Sequence, residues 1–255
     1  MKRDIAFSSG GWLGIVNDDF TEQNVVRVAQ AFVRYFFQSR RAPATFKVTV
    51  GYDGRKNSRD HASLAAKILA ENGIEVLLSS GVVPTPVLSF ATRHNGCTIG
   101  LMVTGGHHPP EFNGIEFKGA YGGPLLSEET ANVEGLLSDV TEERVSPSSS
   151  SRKEITQVDF LPDYFSHLET IIDFSALRSF AENPKNTANV LIDSMGGAGQ
   201  TIIEDILVRC GWRAQTLFGE PEDLFFDRWP EPVSENLDAL KYNVKVIDTQ
   251  FGVAT

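Results

Sequence analysis

Thr104-Gly105-Gly106-His107-His108-Pro109-Pro110-Glu111-Phe112-Asn113-Gly114 is the stretch of this chain that says most about its architecture. It follows the apolar run Cys97-Thr98-Ile99-Gly100-Leu101-Met102-Val103, which reads as a buried strand. Two glycines, two histidines and two prolines then impose a sharp irregular loop, because Gly frees the backbone and Pro fixes it. A strand running into such a loop is a common place for chemistry in α/β folds.

Upstream, helical and strand patterns alternate. Asp19 and Glu22 fit an N-cap and its capping-box partner, and Val25, Val28, Ala29, Phe32 and Phe36 recur at helical spacing. Phe46–Val50 reads as a strand ending in the turn Gly51-Tyr52-Asp53-Gly54-Arg55. A helix follows from Ser58 to Asn72, with Gly73 as its stop. Strand Glu75–Leu78, the loop Val83-Pro84-Thr85-Pro86 and a short helix lead into the loop quoted above. Strand–helix–strand units of this length predict a mainly parallel sheet covered on both faces.

Downstream, Ser146-Pro147-Ser148-Ser149-Ser150-Ser151 cannot bury apolar area and reads as a linker, so two domains are expected, 1–147 and 152–255. The second opens with helical segments at Tyr164–Ile172 and Phe174–Ala181. Strand Asn189–Ile192, the turn Asp193-Ser194-Met195-Gly196-Gly197-Ala198-Gly199 and an amphipathic helix through Ile202, Ile203, Ile206 and Leu207 follow. The glycines of that turn fit either a phosphate cradle on helix N–H groups or a tight strand–helix turn. Phe225, Phe226 and Trp229 fit either core packing or an exposed contact patch.

Thirty-three acidic against 23 basic residues give a formal net charge of −10, which argues against a nucleic-acid partner. No apolar run approaches the ~20 residues of a membrane span, so no membrane partner is expected. Cys97 and Cys210 are not spaced as a metal or redox motif, which predicts reduced thiols and a cytoplasmic location. His94, His107 and His108 lack the spacing and acidic partners of a zinc site.

The Thr104–Gly114 loop resembles the phosphoserine loop of the α-D-phosphohexomutases, the phosphoglucomutase and phosphomannomutase family, whose pattern is Thr-Ala/Gly-Ser-His-Asn-Pro-Pro-x-Tyr/Phe-Asn-Gly. Thr104, Gly105, His107, Pro109, Pro110, Phe112, Asn113 and Gly114 fit it, whereas Gly106 stands at the Ser and His108 at the Asn. Phe7–Gly14, Val50–Arg55, Pro84-Thr85-Pro86, Tyr121-Gly122-Gly123-Pro124, Asp193–Gly199, Pro230-Glu231-Pro232 and Glu235-Asn236-Leu237 resemble further family motifs. The resemblance implies two consecutive α/β/α domains, each a four-stranded mixed sheet between helices, the second incomplete. An incomplete second domain is expected to lack its final strand and to leave a sheet edge open to self-association.

It also implies a chemistry: a phosphoryl group passes from the loop Ser to a sugar hydroxyl and the other phosphate returns, with Mg²⁺ and cationic side chains neutralising charge. Against that pattern Gly106 has no side-chain oxygen. Thr104, His107 and His108 remain as other atoms that could accept phosphate, or His107 bonds within the loop and His108 faces solvent. The family's Arg aligns with Leu13 and its Lys with Glu116, a carboxylate that would repel the phosphoryl group. Lys118, two residues on, would share a strand face with Glu116. Gly105, Pro109, Asn113 and Lys118 complete the candidate phosphate loop. The family's Asp-Gly-Asp-x-Asp-Arg metal loop follows a strand ending in Gly-Val/Ile-Ala-Thr, and this sequence ends Phe251-Gly252-Val253-Ala254-Thr255. A shortened chain that binds no Mg²⁺, binds hexose phosphate weakly or not at all, and lacks mutase activity is therefore expected, with self-association or association with the missing domains as its partner chemistry.

Overall fold

The computed structural model describes residues 5–8, 10–38, 46–140, 152–247 and 249–255. They divide into two units, Met1–Gly106 with Glu111–Phe160, and His107–Pro110 with Leu161–Thr255.

In the first unit the apolar runs become strands and the amphipathic segments become the helices that cover them. In chain order these are β1 (Phe7–Ser8), β2 (Gly11–Ile15), α1 (Glu22–Gln38), β3 (Lys47–Tyr52), α2 (Ser58–Glu71), β4 (Glu75–Ser79), α3 (Thr85–His94), β5 (Ile99–Val103), β6 (Phe112–Gly119), α4 (Ser127–Gly135) and β7 (Ile155–Val158). The sheet order is β1-β2-β6-β5-β3-β4-β7. Strands β5, β3, β4 and β7 run parallel, whereas β6, β2 and β1 join antiparallel, so the sheet is mixed.

It holds seven strands where four were expected. The two-residue β1 and the Gly-containing β2 show no apolar alternation of their own, and β7 is an edge strand with half its side chains exposed. Their pairing is decided by what lies beside them. Because β7 pairs with β4, the first unit runs past the Ser-rich stretch, which itself lies outside the described residues.

One face of this sheet carries Val48, Val50, Leu101, Val103, Ile115 and Phe117, buried with Val25, Val28, Ala29 and Phe32 of α1 and Ala62, Ala65 and Leu69 of α2. The rings of Phe32 and Phe117 stack at 4.8 Å, and Phe32 meets Phe36 edge-on at 4.7 Å. α3 covers the other face, where small residues allow close approach. The Thr49 and Thr92 hydroxyls lie 2.6 Å apart, and a Cβ on Gly100 would stand 2.3 Å from Thr92 Oγ1.

The start of α1 differs from the sequence reading. The Thr21 hydroxyl accepts from Asn24 N at 3.3 Å as the cap, while Asp19 accepts from the backbone N–H of Ile15. The turn from Ile15 to Phe20 uses the Asp19 carboxylate, so the helix begins later.

His61 of α2 is buried, with its ring edge-on to Phe20 at 4.9 Å and Nδ1 without a hydrogen-bond partner. Burial pushes its pKa below the ordinary 6.5, and Glu22 and Asp60 oppose that shift. The unfolded chain therefore takes up this proton more readily than the folded one. Stability held above pH 6.5 should be lost progressively as pH falls from that value through the folded pKa. In urea unfolding from pH 7.5 to 5, His61→Phe should flatten this slope, and an unchanged slope would refute the assignment.

The second unit is smaller. Its elements are α5 (Leu161–Ile171), α6 (Phe174–Glu182), β8 (Asn189–Asp193), α7 (Ile202–Arg209), β9 (Arg213–Leu217), α8 (Asp238–Val246) and β10 (Phe251–Ala254). The sheet order is β10-β8-β9, with both pairings parallel. A four-stranded mixed sheet was expected here, and three parallel strands are found among the described residues. Phe251–Ala254, the run on which the sequence stops, pairs along its length with β8. Parallel backbone bonding needs only an extended partner in register, which β8 supplies.

Candidate functional site

Strand order places the site. From β3 the chain moves outward to β4, then crosses back over β3 to reach β5, so the loops leaving β3 and β5 diverge where the direction of winding reverses. Ligands of open α/β sheets bind outside the carboxyl ends of strands at such a point. The Thr104–Glu111 segment is the loop there, and it returns into β6, antiparallel to β5.

The ends of β3 and β5 are joined by Asp53, whose N–H donates to Val103 O at 3.0 Å. One Asp53 carboxylate oxygen accepts from Arg55 N at 3.0 Å and from the Ser58 hydroxyl at 2.7 Å. The other accepts from Gly105 N at 3.3 Å and lies 3.2 Å from Arg55 Nε in an ion pair. Arg55 donates from Nη2 to Gly106 O at 2.7 Å and from Nη1 to Phe112 O at 3.0 Å. Asn113 donates to Ser58 Oγ at 2.9 Å and accepts from Gly114 N at 2.8 Å. Thr104 N donates to Gly114 O at 3.0 Å, and its hydroxyl accepts from Gly106 N at 3.0 Å. Burial lowers the Arg55 pKa, while Asp53 and then Glu111 favour the charged form.

Each candidate residue now has a place. Gly106 is exposed at φ +56, with nothing within 4 Å of where a Cβ would stand. Thr104 is buried and its hydroxyl is already engaged by Gly106 N, which leaves it poorly placed as an acceptor of phosphate. His107 and His108 are exposed, and Pro109 is half-buried. Gly105 must lack a side chain, because a Cβ there would lie 2.7 Å from Arg55 Cζ and 2.9 Å from Phe112 O.

The register brings Leu13 opposite Gly114 and Gly11 opposite Glu116, so Leu13, Glu116 and Lys118 share one sheet face. Lys118 is buried, and its ammonium sits 2.8 Å from Glu116 Oε2. The Lys118 charge is thus paired with the Glu116 carboxylate on the same face. Asp53, Arg55 and Ser58 were quoted in the sequence only as a motif or a helix start. Their role as the frame of the loop needed the fold, since 52 residues separate Asp53 from Gly105.

Among the described residues no group of three or more His, Cys, Asp or Glu side chains is placed to hold a metal ion. No described helix is long and apolar enough to cross a membrane.

In the second unit Asp193 ends β8 as Asp53 follows β3. It accepts from Met195 N at 2.9 Å and from both Nη atoms of Arg228 at 2.7 and 2.9 Å, with Arg228 stacked 4.1 Å from the centre of the Phe218 ring. Phe225 is buried, whereas Phe226 and Trp229 are exposed.

Comparison with known proteins gives the family. Residues 4–144 match the family described as phosphoglucomutase/phosphomannomutase, alpha/beta/alpha domain I. The chain belongs to this family. It is 28% identical over 248 residues to a phosphoglucomutase/phosphomannomutase of Thermococcus kodakarensis, covering 97% of this chain and 52% of that protein. Against a protein of Methanosphaera stadtmanae assigned as a phosphoglucosamine mutase, identity is 27% over the same shares. A crystal structure assigned as a phosphomannomutase of Thermus thermophilus superposes with a TM-score of 0.88 at 31% identity, covering 100% of this chain and 55% of that one. The chain thus spans about half the length of the curated relatives it matches.

Proposed function

We propose that this phosphohexomutase-family chain does not by itself transfer phosphoryl groups on hexose phosphates. The observation that carries this reading is Gly106. The exposed, open position that carries the family's phosphoserine ends in a hydrogen atom. Nucleophilic transfer needs an oxygen or nitrogen there to take the phosphoryl group and return it. Two further observations support it. Leu13 adds no charge to the facing strand, and Lys118 is held by Glu116.

Purified protein incubated with glucose 1-phosphate, glucose 1,6-bisphosphate and Mg²⁺, with a coupled dehydrogenase, should show no mutase turnover. A rate of even ~1 s⁻¹, within the ordinary enzyme range, would overturn the proposal. Gly106→Ser alone should leave the rate at background, since it restores the hydroxyl but not the Arg and Lys positions. Its left-handed φ should cost about 1–2 kcal/mol of stability, readable by urea unfolding.

The intact frame around the loop favours a second reading, a non-catalytic module that keeps a weak affinity for hexose phosphate or for a partner chain. Calorimetry with glucose 6-phosphate and light scattering for mass test it. A monomer that releases no heat on titration would contradict both branches. The two cysteines are buried and unpaired, which is consistent with the reducing, cytoplasmic setting proposed for it.

A further inference from the structure

Arg55 is buried, with Nε 3.2 Å from the Asp53 carboxylate, and its two Nη atoms reach Gly106 O and Phe112 O. Those carbonyls sit on the outgoing and returning legs of one loop. Arg228, by contrast, sets both Nη atoms against the two carboxylate oxygens of Asp193. The Asp53 carboxylate is turned to other work, receiving Gly105 N and Ser58 Oγ, which fixes the base from which Arg55 reaches. Gly105 completes the fit, because any side chain there would collide with the guanidinium.

We propose that Arg55, oriented by Asp53, is the positioning residue of the Thr104–Phe112 loop, setting the separation and direction of its two legs whatever side chain stands at 106. The planar fork is the essential property. A lysine keeps the charge but offers one donor centre and cannot span two carbonyls in fixed geometry. The loop shape is thereby independent of a phosphoryl group or of a hydroxyl at 106. This inference rests on the loop's own contacts and stands whether or not the chain turns over substrate.

Nuclear magnetic resonance on the full chain tests it in two ways. In Arg55→Lys the amide resonances of Gly105, Gly106 and Gly114 should move, and their hydrogen exchange should quicken about tenfold or more, while the core amides of Val50 and Leu101 keep their protection. Unchanged loop amides, or loop and core quickened by one common factor, would overturn the proposal. The unsubstituted protein supplies the second arm, which needs no variant to fold. With both Nη groups held, the Arg55 guanidinium should show separate Nη resonances with slow rotation about Nε–Cζ. A single averaged Nη resonance would equally overturn it.

Discussion

Asp53→Ala is expected to lower the stability of the first unit by about 3–5 kcal/mol, the range found when one partner of a buried ion pair is removed. Arg55, 4% exposed as a residue, would lose its counter-charge while remaining enclosed. Arg55 N, Ser58 Oγ and Gly105 N would each lose an acceptor at the same time, at positions buried with the loop. Hydrogen exchange on peptides covering β3 and β5 should quicken by about two to four orders of magnitude, since each 1.4 kcal/mol is tenfold. A change below about tenfold would mean that water reaches Arg55 and replaces the carboxylate. Asp53→Asn should fall between, because it keeps an acceptor oxygen for N–H and O–H donors but not the charge.

Arg228→Gln should be as costly in the second unit, again about 3–5 kcal/mol. Asp193 is fully buried, and Arg228 supplies two of the three hydrogen bonds its carboxylate receives in the structure. Glutamine is shorter, presents a single donor group and carries no charge. The carboxylate would stay buried with Met195 N as its remaining partner, and the stacking on Phe218 would go as well. Exchange in peptides spanning β8 and β9 should quicken at least as much as in Asp53→Ala. Wild-type protection there would show that Asp193 is neutralised by another route.

The family of this chain was legible because the Thr104–Gly114 pattern is local. Its residues are neighbours in sequence, so the pattern is read without knowing what packs against it. The helices α1 and α2 were legible for a similar reason. Val25, Val28, Ala29, Phe32 and Phe36 all point to one side of a helix, and all five are buried. The same logic misread the cap of α1, where the choice between Asp19 and Thr21 turns on whether Asp19 is free or already bound to the Ile15 N–H. Lys118 was expected on the face of Glu116 from strand alternation alone, and the two meet there.

Pairings across long stretches of chain were not legible. β7 looks polar because it lies at an edge, where one row of side chains faces solvent, and its register with β4 is set by a neighbour about 80 residues away. The three-stranded parallel sheet of the second unit depends on which strand lies beside β8, and each of its strands reads alike in isolation.

What the amino-acid order determined by itself was side-chain identity: a hydrogen atom at Gly106, an alkyl group at Leu13 and a carboxylate at Glu116. Side-chain chemistry belongs to single residues, so its absence can be read without a fold. What only the tertiary structure decided was how the loop is held. Asp53, Arg55 and Ser58 lie on the stretch after β3, Gly105 and Asn113 on the chain after β5, and hydrogen bonds of about 3 Å exist only once the parallel pairing of β3 and β5 brings the two to one end of the sheet.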